Sequence, residues 1–141
     1  MRWKILSLGL LFWMTSCIRD SELKPVNPYD IVHDNTSKVW LLDHVYRKGV
    51  DQVPLSMGYK QIMIFHESRA CYLHRIGEMG EKAGRKAHFK IDAEKERMYF
   101  EFKDESWEFQ IEELDYERIR LKSVNDSVFP YAIELIPFPE Y

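Results

Sequence analysis

A chain of 141 residues is long enough for one modest domain. With 23 acidic against 20 basic side chains and a formal net charge of −3, it lacks the cationic surplus that nucleic acid or an anionic membrane surface demands. The composition, 45% hydrophobic and 14% aromatic, supplies a core, although folding at this size buries only about two-thirds of the chain's surface.

The first elements in chain order are a basic start, Arg2 and Lys4, and an apolar run from Ile5 to Met14 that ends at Thr15-Ser16-Cys17. As a helix that run reaches about 15 Å, roughly half the hydrocarbon core of a bilayer, which suits an export peptide better than a permanent span. The small residues and the cysteine after them resemble the lipobox of bacterial lipoproteins, with methionine at position 14 where leucine is preferred. This resemblance implies that residues 1–16 are a signal peptide and that Cys17 becomes an acylated N-terminus. Two or more acyl chains tether a protein stably. Ile18 in place of aspartate favours the outer membrane, facing the periplasm or the cell surface. An ordinary cleaved signal with a chance cysteine is the alternative.

Residues 17–37 read as a tether and lead-in segment, since Lys24-Pro25-Val26-Asn27-Pro28 blocks regular structure and Asp34-Asn35-Thr36-Ser37 carries turn chemistry or a helix cap. From Lys38 to Arg47 the β-branched and aromatic content predicts a first strand. Two further strands, Tyr59–His66 and Ala70–Ile76, are apolar on both faces in places. Four more alternate with a period of two: Ala87, Phe89 and Ile91; Met98, Phe100 and Phe102; Trp107, Phe109 and Ile111; Ile119 and Leu121. A last strand runs from Tyr131 to Pro137. The connections Ala93-Glu94-Lys95, Asp104-Glu105 and Glu113-Leu114-Asp115 are too short for crossover helices, so neighbouring strands are antiparallel. Eight consecutive antiparallel strands predict an all-β, eight-stranded up-and-down barrel over residues 38–141, or two packed sheets in a β-sandwich.

Over residues 38–138 the chain resembles the lipocalin-like domains of small Gram-negative lipoproteins. The resemblance rests on Lys38-Val39-Trp40-Leu41-Leu42, the segment Tyr59 to Phe65, Trp107 to Leu114, Ile119 to Ser123, and Glu134-Leu135-Ile136-Pro137-Phe138. Lys38 departs from it, because glycine is usual two residues before the first-strand tryptophan. The family implies a shape and no particular ligand.

Chemistry-bearing motifs are sparse. His66-Glu67 opens like a zinc-protease helix, but Ala70 stands where the second histidine belongs. His66 and His74 fall on adjacent predicted strands and lack a third ligand. The glycines of Gly77 to Arg85 have no phosphate-cradling context and predict a loop at a barrel mouth. Cys71 reads as a small buried apolar residue. Asp126-Ser127-Val128 matches a bacterial O-glycosylation pattern at Ser127. No catalytic residue, metal or cofactor is assigned. The expected function is non-catalytic binding of a small apolar molecule within the barrel by Trp40, Leu42, Phe89, Ile91, Met98, Phe100, Phe102, Trp107, Phe109 and Ile111. The alternative is an interaction or assembly subunit with those residues as a solid core, whose protein partner the sequence does not name. The connection Lys48 to Gly58, with Val53, Leu55 and Met57, is expected to act as a lid or docking strip.

Overall fold

The computed structural model describes residues 25–125 and 130–139. The signal peptide and Cys17, and the glycosylation pattern at Ser127, lie outside the described residues. The strands are β1 (Ser37–Arg47), β2 (Val50–Asp51), β3 (Gln61–His66), β4 (Ala70–Arg75), β5 (Arg85–Asp92), β6 (Arg97–Glu101), β7 (Ser106–Leu114), β8 (Ile119–Ser123) and β9 (Ala132–Pro137). Every pairing is antiparallel, and β9 pairs with both β8 and β1, through Leu121↔Ile133 and Leu42↔Leu135. Eight strands thus close into one barrel, with β2 as an extra ribbon on the end of β1. The two-sheet alternative is excluded by this closure, which removes the free edges that an open sheet would expose.

Strict alternation fixes which face of β5 to β8 is buried. Ala87, Phe89 and Ile91 are buried while Lys86, His88 and Lys90 are exposed, and Ile119 and Leu121 alternate likewise with Arg120 and Lys122. Paired side chains such as Phe100↔Trp107 and Met98↔Phe109 bring the inward rows together. Their rings form a continuous network: Phe65 meets Phe89 edge-on at 5.0 Å, Phe100 meets Phe109 at 5.7 Å, and Phe102 lies 4.4 Å from Trp107. Each fully buried ring contributes about 1.5–3 kcal/mol.

Several boundaries differ from the sequence reading. Regular structure begins at Pro28, inside the segment expected to block it. Asn27 caps helix α1 (Pro28–His33) by accepting from the Tyr29 amide, and Pro28 occupies the first helical position, where its missing N–H costs nothing. Asp34 and Asn35 end the helix with positive φ. The packed unit therefore takes in residues before Lys38, since Val32 is fully buried. Tyr59 belongs to a short 3-10 turn, Met57–Tyr59, and Ile76 starts another, Ile76–Glu78. These two turns touch so closely that a Cβ on Gly77 would lie 2.8 Å from the Gly58 carbonyl oxygen. Strand β7 continues to Leu114 through a bulge between Ile111 and Glu113, and the turn is made by Asp115, whose Oδ1 accepts from the amides of Glu117 and Arg118.

Helix α1 seals one end. The indole of Trp40 donates to the Val32 carbonyl at 2.8 Å, and the Tyr29 hydroxyl accepts from the Ile91 amide at 2.9 Å. Lys38, the residue in place of glycine, lays its ammonium 4.1 Å from the Trp40 ring centre and donates to the Tyr116 carbonyl. Desolvation there lowers its pKa from the ordinary lysine value.

At the opposite end, Gly84 lies against His74, and an added Cβ would stand 2.3 Å from the imidazole. Gly84→Ala is expected to lower stability by up to about 1 kcal/mol, less than core overpacking does, because the half-exposed His74 ring can swing aside. Pairing it with His74→Ala should restore most of that loss in urea denaturation, whereas a double variant as unstable as the single one would assign the cost to backbone instead.

Candidate functional site

The inward row shared by β3 and β4 changes character along the barrel axis. From the sealed end outward it runs Phe65 opposite Cys71, Met63 opposite Leu73, then Gln61 opposite Arg75. On β1, Trp40 and Leu42 face inward, and a bulge at Asp43 restores Val45 to the same side, opposite Ile133. At the end away from α1 this interior holds an open cavity of about 330 Å³. Its walls are mainly apolar, with Leu42, Val45, Met63, Leu73, Trp107 and Ile133. Gln52, Val53, Pro54, Tyr59, Lys60, Gln61, Arg75 and Tyr131 complete the rim. Larger hollows, near 470 and 550 Å³, are grooves lined by outer residues such as Arg69 and His88, or Arg47 and Lys122.

Of the ten interior residues read from the sequence, Leu42 and Trp107 line the cavity. Trp40, Phe89, Met98, Phe100 and Phe109 are fully buried in the packed core, Ile91 and Phe102 nearly so, and Ile111 is half-buried against them. The cavity residues that sequence reasoning missed are Val45, Met63, Leu73, Tyr131 and Ile133. Only Tyr131 lies outside a strand. The others were hidden because their strands are apolar on both faces or bulged.

The connection Lys48 to Gly58 crosses the mouth as a strap. Asp51 pins it: Oδ1 accepts from the amides of Val45 and Val53, and Oδ2 lies 2.7 Å from His44 Nδ1. That hydrogen bond is the main reason the His44 pKa is raised and the Asp51 pKa lowered. Asp43 and Glu134 raise the His44 value further. The His44 contribution is complete below the ordinary histidine pKa and disappears as pH rises through the higher folded value. The Asp51 contribution holds above the ordinary aspartate pKa and disappears as pH falls through the lower folded value. Between these limits the strap is held best. An NMR titration of the His44 ring is expected to give a pKa above 6.5 that falls towards that value in Asp51→Asn. An unchanged titration in the variant would remove Asp51 as the cause.

Outside the barrel, ligand atoms of Asp43, His44 and Glu134 lie within 4.8 Å of one another. Both Glu134 oxygens are already engaged by guanidinium groups, Arg118 at 3.2 Å and Arg120 at 3.3 Å, so the cluster balances its charges with its own side chains. Tyr72 stands between the rings of His66 and His74, which therefore do not form a pair. Gly77 to Arg85 leads from β4 into β5, and its residues line a groove beside Gln61 and Arg75 that is separate from the cavity. Cys71 is buried, and desolvation pushes its thiol far above the ordinary range, which keeps it protonated.

No protein-family model matches the chain, and no curated protein matches it in sequence. Among the described residues, no helix is long and apolar enough to cross a membrane.

Proposed function

We propose that this protein is a lipocalin-like lipoprotein of the cell envelope, tethered to the outer membrane by acyl groups on Cys17, whose barrel holds a small apolar molecule without altering it. The observation that carries the reading is the 330 Å³ cavity at the open end, which reaches the lower limit of about 300 Å³ for small-molecule sites. Its apolar wall and polar rim match the usual division between binding surface and orienting groups. The tether rests on the sequence from Arg2 to Cys17. Native mass spectrometry of the protein taken from its own envelope tests both parts. Acyl mass on Cys17 and a co-purifying small molecule are the expected results; an unmodified thiol removes the tether, and a bare barrel that also takes up no apolar fluorescent probe removes the ligand.

A second reading is an assembly subunit, and the outward row of β1 and β3 bears on it. Leu41 pairs with Ile62 on one side and Ile136 on the other, on the face turned away from the core. Val39 and Ile64 extend this outward apolar row. Leu41 and Ile62, at 3% and 2% exposed, are already covered within the chain, so this row offers no free docking face. A protein partner recovered in place of a small molecule would favour this reading.

A further inference from the structure

We infer that the outer wall of the barrel carries a second site, separate from the cavity, where the groove between Arg69 and β6 takes a sugar acid, its carboxylate or phosphate on Arg69 and Lys90 and its ring against Tyr99. The groove is open and measures about 470 Å³. Arg69, in the turn between β3 and β4, stands on one side; His88 and Lys90 on β5 run along the floor; Tyr99 and Glu101 on β6 form the other side. Register places them so, since Ala70 pairs with His88, His88 with Glu101 and Lys90 with Tyr99.

Arg69 is held ready for an anion. Its amide donates to the His66 carbonyl at 3.0 Å, and its carbonyl accepts from the Phe89 amide at 2.9 Å. The guanidinium lies over the Tyr29 ring, 3.1 Å from its centre, and Tyr29 is fixed in turn because its hydroxyl exchanges hydrogen bonds with the backbone of Ile91. Stacking uses the face of the guanidinium and leaves its N–H edge for a ligand. Arg75, Arg85, Arg97, Arg118 and Arg120 each meet a carboxylate, whereas Arg69 meets none among the described residues. The exposed Lys90 ammonium is likewise without an ion-pair partner among them. A fork already immobilised loses little freedom when it binds, and it gives a carboxylate or phosphate charge-assisted hydrogen bonds.

The opposite side suits hydroxyls and a ring. Glu101 is exposed and has no ion-pair partner among the described residues, so its oxygens are free to accept from hydroxyl groups. Two strand spacings put it about 10 Å from the Arg69 side, and one ligand meets both. Tyr99 offers a partly exposed aromatic face, whose negative charge attracts the polarised C–H groups of a pyranose. A bare anion would use only one side of the groove, and a neutral sugar only the other. At about 30 Å³ per non-hydrogen atom, the share of one water in the liquid, the groove has room for about fifteen atoms, the size of one sugar acid.

NMR titration of the full chain with glucuronate, glucose 6-phosphate, glucose and inorganic phosphate tests the inference. At least one of the two sugar acids is expected to move the Arg69, His88 and Tyr99 resonances and to bind about tenfold or more tightly than both glucose and phosphate. Arg69→Gln should abolish that preference, and Arg69→Lys, which keeps the charge without the planar fork, should recover little of it. Lys90→Gln, at an exposed position, should reduce it without disturbing α1; circular dichroism checks that each variant folds. Phosphate binding as tightly as both sugar acids would overturn the saccharide, and glucose doing so would overturn the role of charge. A preference that survives in Arg69→Gln, or shifts confined to residues outside the groove, would overturn the location. No shift with any of the four would overturn the site.

Discussion

Truncating Trp40 to alanine is expected to remove about 3–5 kcal/mol of stability, the range for deleting a fully buried aromatic. The residue is fully buried, and it joins three things at the sealed end. Its ring belongs to the core, its N–H satisfies the Val32 carbonyl, and its outer face carries the Lys38 ammonium. Trp40→Phe separates these contributions, because it keeps an aromatic ring and loses the hydrogen bond. That variant should lose the smaller ring volume plus about 1 kcal/mol for the bond, with some added cost from leaving a buried carbonyl unpaired. Urea denaturation with an unchanged slope measures both losses. A midpoint that hardly moves in Trp40→Ala would mean that α1 does not depend on this side chain for its seat.

Filling the cavity is expected to abolish binding with little effect on folding. Leu73 is half-buried on the cavity wall beside Met63, so Leu73→Trp directs the larger side chain into open space. Binding of an apolar fluorescent probe should weaken at least about tenfold, or 1.4 kcal/mol. The same enlargement at Phe89 enters a region already filled by Phe65 and Tyr29. Phe89→Trp should therefore cost about 1–3 kcal/mol in stability and leave probe affinity nearly unchanged. Undiminished binding in Leu73→Trp would place the probe somewhere other than the cavity.

The fold was legible where one face is apolar and the other charged. Ala87 to Lys90 and Ile119 to Lys122 alternate so regularly that a one-residue slip would expose the whole core row, and pairing register follows from that. Short connections then left only antiparallel neighbours. Helix α1 is hard to see in the sequence because Pro25 and Pro28 look like breakers, whereas an asparagine directly before a proline is also a helix start. The cavity was harder to see. Periodicity marks inward positions but does not tell whether they are filled, and most of the ten residues it marked pack into the solid part. Hollowing arises where β1 bulges at Asp43 and where the row on β3 and β4 gives way to Gln61 and Arg75. Neither Asp43 nor Arg75 has a sequence signature of that role.

The core is lopsided along the barrel axis, crowded with rings near α1 and empty near the strap. Amide deuteration should follow that asymmetry, because protection depends on how much packing must be broken to expose each N–H. Amides beside Phe65 and Phe89 would resist until global unfolding, while those of Val53 and Gln61 would exchange through small local openings. The molecule is thus rigid at its base and yielding at its lip, so a guest could enter without loosening the foundation.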